Sequence, residues 1–159
     1  FCYIIHLTNG IKFIAYDTCK SDLDAIGEWA ALKSTVTKLS ELAHQLDIFL
    51  YASIQLSDDA VHIRADELTS SVIANSRQIK HILDSLLFIK EIDKIDYNRY
   101  QYYASNADWG EPTLHNLDDK KRYYIGVVDK NRAGEKKKVL LSVNLDTNVW
   151  LEEGEVFKK

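Results

Sequence analysis

A chain of 159 residues, 46% of them apolar, holds enough material for one ordinary domain with a single core and too little for a second complete one. Its net charge of −4 excludes a broad basic surface that would gather nucleic acid or anionic lipid nonspecifically, so any DNA contact must be local. Two cysteines, Cys2 and Cys19, without CxxC spacing exclude a disulfide framework or zinc ribbon and fit a reducing, cytoplasmic setting.

Phe1 to Ile5 is apolar but has no basic leader before it and no small-residue cleavage site after it, so it reads as a core segment. There is no methionine in the sequence, and the expectation is that Phe1 is a cut point in a longer protein. Ile11–Tyr16 follows the turn signal Asn9-Gly10 and stops at Asp17, which predicts a buried strand with an acid at its end. From Glu28 to Leu46, Trp29, Leu32, Val36, Leu39, Leu42 and Leu46 recur at steps of three and four, the pattern of one face of an amphipathic helix. Ile48–Ile54 is continuously apolar, as a strand covered on both faces of a parallel sheet would be. Strand, helix and strand make a βαβ unit with a right-handed crossover.

Ser57 to Ser71 is polar and without period, so a loop or short helix over the sheet edge is expected. Asn75–Leu83 suits a short helix and Leu86–Ile89 a third strand. The apolar stretches around Ile48–Leu56 and Ser85–Ile92 fall far short of the roughly 20 residues needed to cross a bilayer, so no membrane span is expected. Residues 93–121 carry Trp109 and Pro112 with no clear period and read as an insertion. Tyr97, Tyr100, Tyr102 and Tyr103 within it could stack on bases, although packing is the commoner use of such rings. Tyr123–Val128 and Val139–Val143 form a hairpin around a glycine-containing turn at 129–135, and a polar tail follows Trp150. The expected fold is α/β, with a mostly parallel central sheet flanked by helices and a C-terminal β-hairpin.

Three elements could carry chemistry. Asp17, at the carboxyl end of a buried strand, lies where open α/β sheets place their ligands and where a Walker B strand presents a carboxylate to magnesium; a turn or capping aspartate would look the same. Gln55, at the end of the next strand, could accept from a water and donate to a γ-phosphate oxygen, or simply end a strand in solvent. Lys130 and Arg132, two apart, can project together and suit a phosphoryl group gaining charge, although basic residues at hairpin turns are usually solvated. His6, His44, His62, His81 and His115 lack metal-ligand spacing.

These elements in this order (Phe13–Asp17, then Leu39–Leu56, Ile79–Ile89 and Val128–Val139) resemble the C-terminal RecA-type ATPase domain of DnaB-like replicative helicases from its Walker B strand onward, with Lys130-Asn131-Arg132 and Gly134 before a final strand the most specific part. The resemblance implies ATP and magnesium as cofactors, Asp17 as the magnesium ligand and Gln55 as the γ-phosphate sensor. It implies that Lys130 and Arg132 are paired cations, including an arginine finger, reaching the ATP site of a neighbouring subunit in a homo-oligomeric ring, expected to be a hexamer. It also implies a loop after Gln55, with Arg64, Asn75, Ser76 and Arg77, that holds single-stranded DNA. The sequence departs from the family in three places. None of its six glycines precedes a lysine, so the G-x-x-x-x-G-K-[ST] phosphate loop is absent from these residues and is expected upstream. Thr18-Cys19-Lys20 replaces the usual tyrosine-leucine-glutamine, and the DNA loop lacks the Arg-Glu-Ser-Gly pattern. A noncatalytic RecA-like interaction module and a RecA-type recombinase ATPase are the alternatives.

Overall fold

The structure is a computed structural model that describes residues 10, 12–19, 28–54, 58–70, 76–104 and 113–159. The chain divides into two compact units, 1–58 with 70–83, and 59–69 with 84–159.

In the first unit, strand β1 (Phe13–Cys19), helix α1 (Glu28–Leu46) and strand β2 (Phe49–Ile54) form the expected βαβ arrangement, with β1 and β2 parallel. Helix α1 buries Leu32, Val36 and Leu46 at the spacing read from the sequence. It ends where Asp47 takes a left-handed backbone, φ 49°, and the Ile48 N–H turns back to the Ala43 carbonyl at 3.1 Å. The Phe49 N–H then donates to the Lys12 carbonyl at 2.8 Å and opens the ladder to β1. Cover on both faces was expected for β2, yet Phe49 and its partner Phe13 are 64% and 58% exposed, their rings stacked at 5.4 Å. A two-stranded sheet offers each ring one cross-strand neighbour, and the two rings take each other. The short helix α2 (Ser76–Ile82) packs on α1 and buries Ile79.

The second unit corrects the predicted sheet. Strands β3 (Ser85–Glu91), β4 (Tyr100–Ala104), β5 (Leu114–Asn116), β6 (Arg122–Asn131), β7 (Lys138–Asn144) and β8 (Val149–Lys158) form one six-stranded sheet in the order β3-β6-β7-β8-β4-β5, and every pairing in it is antiparallel. The main sheet is therefore antiparallel, not mostly parallel, and only β1 and β2 pair in parallel among the described residues. The physical reason lies in the connections: residues 132–137 and 145–148 link β6 to β7 and β7 to β8, far short of the dozen or more residues a parallel crossover needs. The hairpin β6–β7 stands as read, but the polar tail is β8, bonded on both sides. Its entry turn is set by Asn144, whose Oδ1 accepts from the N–H groups of Asp146 and Thr147 at 3.0 and 3.3 Å, and by Asn148 at φ 51°.

The core of this unit is built on inward positions of neighbouring strands: Phe88, Tyr123, Ile125, Val127, Leu140 and Val156, with Ile125 paired to Leu140 and both fully buried. Two short 3-10 helices, Asp58–His62 and Ala65–Glu67, accompany it, and the second packs on β3 and β6. Residues 94–104 and 114–116 of the expected insertion supply a 3-10 helix, β4 and β5. Tyr97, Tyr100 and Tyr102 are buried there, and Tyr97 meets Tyr123 edge to face at 5.4 Å. Burial raises the pKa of both phenols of that pair. Trp109 and Pro112 lie outside the described residues.

Candidate functional site

Asp17 sits near the carboxyl end of β1, with its side chain exposed. The register to β2 runs evenly to Tyr16 opposite Ala52 and then slips one residue, Cys19 facing Ile54, so β1 bulges at Asp17-Thr18. Bulges re-aim side chains. Here the Ser53 hydroxyl of β2 donates to Asp17 Oδ1. Carboxylate and hydroxyl oxygens are hard donors that suit magnesium, which takes one or two carboxylates, keeps waters and shares substrate phosphates. No group of three or more His, Cys, Asp or Glu able to hold a metal occurs among the described residues. Asp17 therefore fits a magnesium ion shared with a nucleotide and does not fit a protein-enclosed metal site. Cys19, two residues on, is buried, and burial raises its thiol pKa, which makes it a packing group. Gln55, the residue after β2, lies outside the described residues.

Lys130 and Arg132 belong to the second unit, at the end of β6 and just past it. Lys130 pairs with Leu86, and the register slips at Asp129, since Leu87 faces Val128. Arg132 is held by Asp84, the residue before β3. Its N–H donates to the Asp84 carbonyl at 3.0 Å and its guanidinium Nη1 to Asp84 Oδ1 at 2.7 Å. Both side chains are more than half exposed, at 57% and 64%, so Arg132 does not pack into the core. On the other side of the turn, the Ala133 N–H donates to Asn131 Oδ1 at 3.2 Å.

The residues expected on a DNA loop are dispersed. Arg64 lies in the second unit between the two 3-10 helices, with its guanidinium Nε 3.5 Å from Glu67. Ser76 and Arg77 start α2 in the first unit, and Asn75 lies outside the described residues. The Arg64 segment is tied to β3 by Lys90, whose ammonium donates to the carbonyls of Ala60 (2.8 Å), Val61 (2.7 Å) and Ile63. Burial lowers the Lys90 pKa and the nearby Asp93 charge opposes that shift. A cavity of about 340 Å³ beside this tether is lined by His62, Arg64, Lys90, Asp93, Asp96 and Tyr100. Much of its polar wall is already engaged: Asp96 is paired to Arg99 at 2.8 Å, and the Tyr100 hydroxyl donates to Asp66 at 2.5 Å. Sequence reasoning singled out neither Lys90 nor Asp84. The signal for Lys90 was its inward phase on a strand, between Phe88 and Ile92, where a lysine requires acceptors.

No known family model matches the sequence, and no curated protein matches it. Solved structures do. A structure of a DnaB-like replicative helicase, solved with regard to its interactions with primase, superposes on 90% of this chain at a TM-score of 0.61. A second solved structure, an isolated ATPase domain, superposes on 94% at a TM-score of 0.64. The chain has part of the fold of DnaB-like replicative helicases. It spans 32% and 49% of those two chains, with 14% identity to each. Identity that low speaks for architecture and leaves chemistry to the residues. No helix among the described residues is long and apolar enough to cross a membrane.

Proposed function

We propose that the chain is part of the ATPase motor of a ring-forming replicative DNA helicase, in which nucleotide hydrolysis drives movement along single-stranded DNA. The observation that carries this reading is the likeness in fold to a replicative helicase and to an ATPase domain over at least 90% of the chain. Bound Mg–ATP would supply the transferable phosphoryl group and the divalent charge that steadies it. Asp17 would hold the magnesium through the carboxylate that the Ser53 hydroxyl orients. Gln55 would order the attacking water and report the γ-phosphate to the following segment. Lys130 and Arg132, from the neighbouring subunit of a hexameric ring, would neutralise charge on the phosphoryl oxygens as the transition state forms. Arg64, Asn75, Ser76 and Arg77 would contribute DNA contacts, and the phosphate-binding loop would come from a part of the protein upstream of these residues. Cytoplasmic replication is the setting that goes with these roles, and 93–121 is retained as an insertion in the domain.

Arginine fingers contribute about 10³–10⁵ in turnover. In the full-length protein, Arg132→Ala should lower ATP turnover by at least about a thousandfold and leave ATP binding intact, as read by phosphate release and by titration with Mg–ATP. Turnover equal to wild type refutes the assignment. A strand-displacement assay at stated salt separates helicase from recombinase ATPase.

A further inference from the structure

Arg132 lies on the six-residue connection 132–137, exposed, at a place where nothing in core packing would fix a long side chain. Yet its backbone and its guanidinium are both bonded to one residue, Asp84, at 3.0 Å and 2.7 Å. The first bond extends the β3–β6 ladder one step beyond the Ser85–Asn131 pair. The second falls in the short range of charge-assisted hydrogen bonds. The turn is fixed from the far side as well, because Asn131 Oδ1 accepts from Ala133, and a Cβ at residue 134 would come within 2.9 Å of Asn131 Nδ2, which makes Gly134 part of the same device.

An exposed arginine–aspartate pair adds little to fold stability. Its other effect is to restrict the rotamers of the arginine, and an arginine already held in one rotamer loses less freedom when it must meet a phosphoryl group at a set position. We infer that Asp84 is the positioning residue for Arg132: its carboxylate holds the guanidinium in the direction from which it acts. The inference rests on the reading of Arg132 given above and deepens it. Asp84 touches neither nucleotide nor reacting atoms in this scheme and acts through Arg132 alone.

The test is steady-state ATP hydrolysis by the full-length protein on single-stranded DNA, comparing wild type with Asp84→Ala, Asp84→Asn, Asp84→Glu, Arg132→Ala and the double variant Asp84→Ala/Arg132→Ala, with radiolabelled phosphate release to follow slow turnover. A drop in kcat of about fivefold is expected for Asp84→Ala and Asp84→Asn, the upper end of what an exposed pair contributes. KM for ATP should stay put, since Arg132 serves the transition state. Asp84→Glu should restore most of the loss, and Asp84→Ala should add nothing where Arg132 is already alanine. If Arg132→Ala loses turnover while both Asp84→Ala and Asp84→Asn keep the wild-type kcat, the role of Asp84 is overturned and the reading of Arg132 stands. If Asp84→Ala still lowers kcat in the Arg132→Ala background, Asp84 acts through the fold and the inference is overturned. If Arg132→Ala itself has wild-type turnover, the functional reading fails first and the inference with it. Should Asp84→Ala fail to fold, the isosteric Asp84→Asn decides the same question.

Discussion

Replacing Lys90 by methionine tests the tether of the Arg64 segment directly. Methionine keeps an unbranched apolar stem and removes the ammonium that serves three carbonyls, two of the three bonds being partly buried. The carbonyl of Val61 faces water and can recover a partner there, so its loss costs little. Those of Ala60 and Ile63 are the ones left short of a donor. A hydrogen bond from a charged group contributes about 1.5–3 kcal/mol, and partial solvation places each of these near the lower end, so the variant should lose about 2–3 kcal/mol. Desolvation of the lysine offsets part of that loss, as its lowered pKa indicates, which leaves about 1–2 kcal/mol. In a unit of this size that is a fall in Tm of about 4–16 °C. Hydrogen exchange should localise the change: faster exchange at the amides of 59–67, little change in β6 and β7. A variant that melts within a degree of wild type, with unchanged exchange at 59–67, would show that the tether holds nothing.

Glu153 and Lys121 give a pH signature. Burial alone would raise the Glu153 carboxyl, but hydrogen bonds from Lys121 at 2.7 Å and from Ser142, with the Lys121 charge, outweigh it and hold its pKa below the ordinary value. A depressed carboxyl contributes stability at neutral pH that is lost as pH falls from the ordinary glutamate range, about 4.3, through the folded value. Glu153→Gln should therefore be about 1 kcal/mol less stable than wild type at pH 7 and equal to it at the acid end; chemical denaturation at several pH values reads this, and a pH-independent difference contradicts it. Leu140→Ala, at a fully buried position opposite Ile125, should cost about 2–5 kcal/mol in the same assay, and a cost below about 1 kcal/mol would mean the sheet core is not where the structure has it.

The parts legible in the sequence were those with local causes. Helix α1 runs from Glu28 to Leu46 because Leu32, Val36 and Leu46 repeat at helical spacing, and the β6–β7 hairpin follows from two apolar runs and a glycine-bearing turn. Partner choice was not legible. Leu86–Ile89 is a short apolar run with no mark that it pairs antiparallel with β6 and not with β2 in a parallel sheet. Strand β8 was hidden by its own composition: Glu152, Glu153 and Glu155 look solvated, while the slip at Glu153 breaks the alternation that buried Gly154 and Val156 would otherwise display. At the site, Asp17 announced itself as an acid ending an apolar run. Asp84, a lone acid before a strand, has meaning only through its contact with a residue 48 positions away.

Both attachments described above begin on β3 or the residue that precedes it. Asp84 grips Arg132 at one end of the strand, and Lys90, near the other end, holds the carbonyls of 60, 61 and 63. They differ in kind. Arg132 extends β6, an interior strand bonded to β3 on one side and β7 on the other, so displacing it means breaking a ladder. The Arg64 segment is 3-10 helix without a ladder, and Lys90 supplies three of its bonds from a single flexible side chain. Cations that must meet a phosphoryl group at one position need the first arrangement, and a segment that must shift along DNA as nucleotide state changes is better served by the second. Because one strand carries both, a displacement of β3 along β6 would act on the cation turn and on the Arg64 segment together, which is the element a coupling between hydrolysis and DNA movement requires.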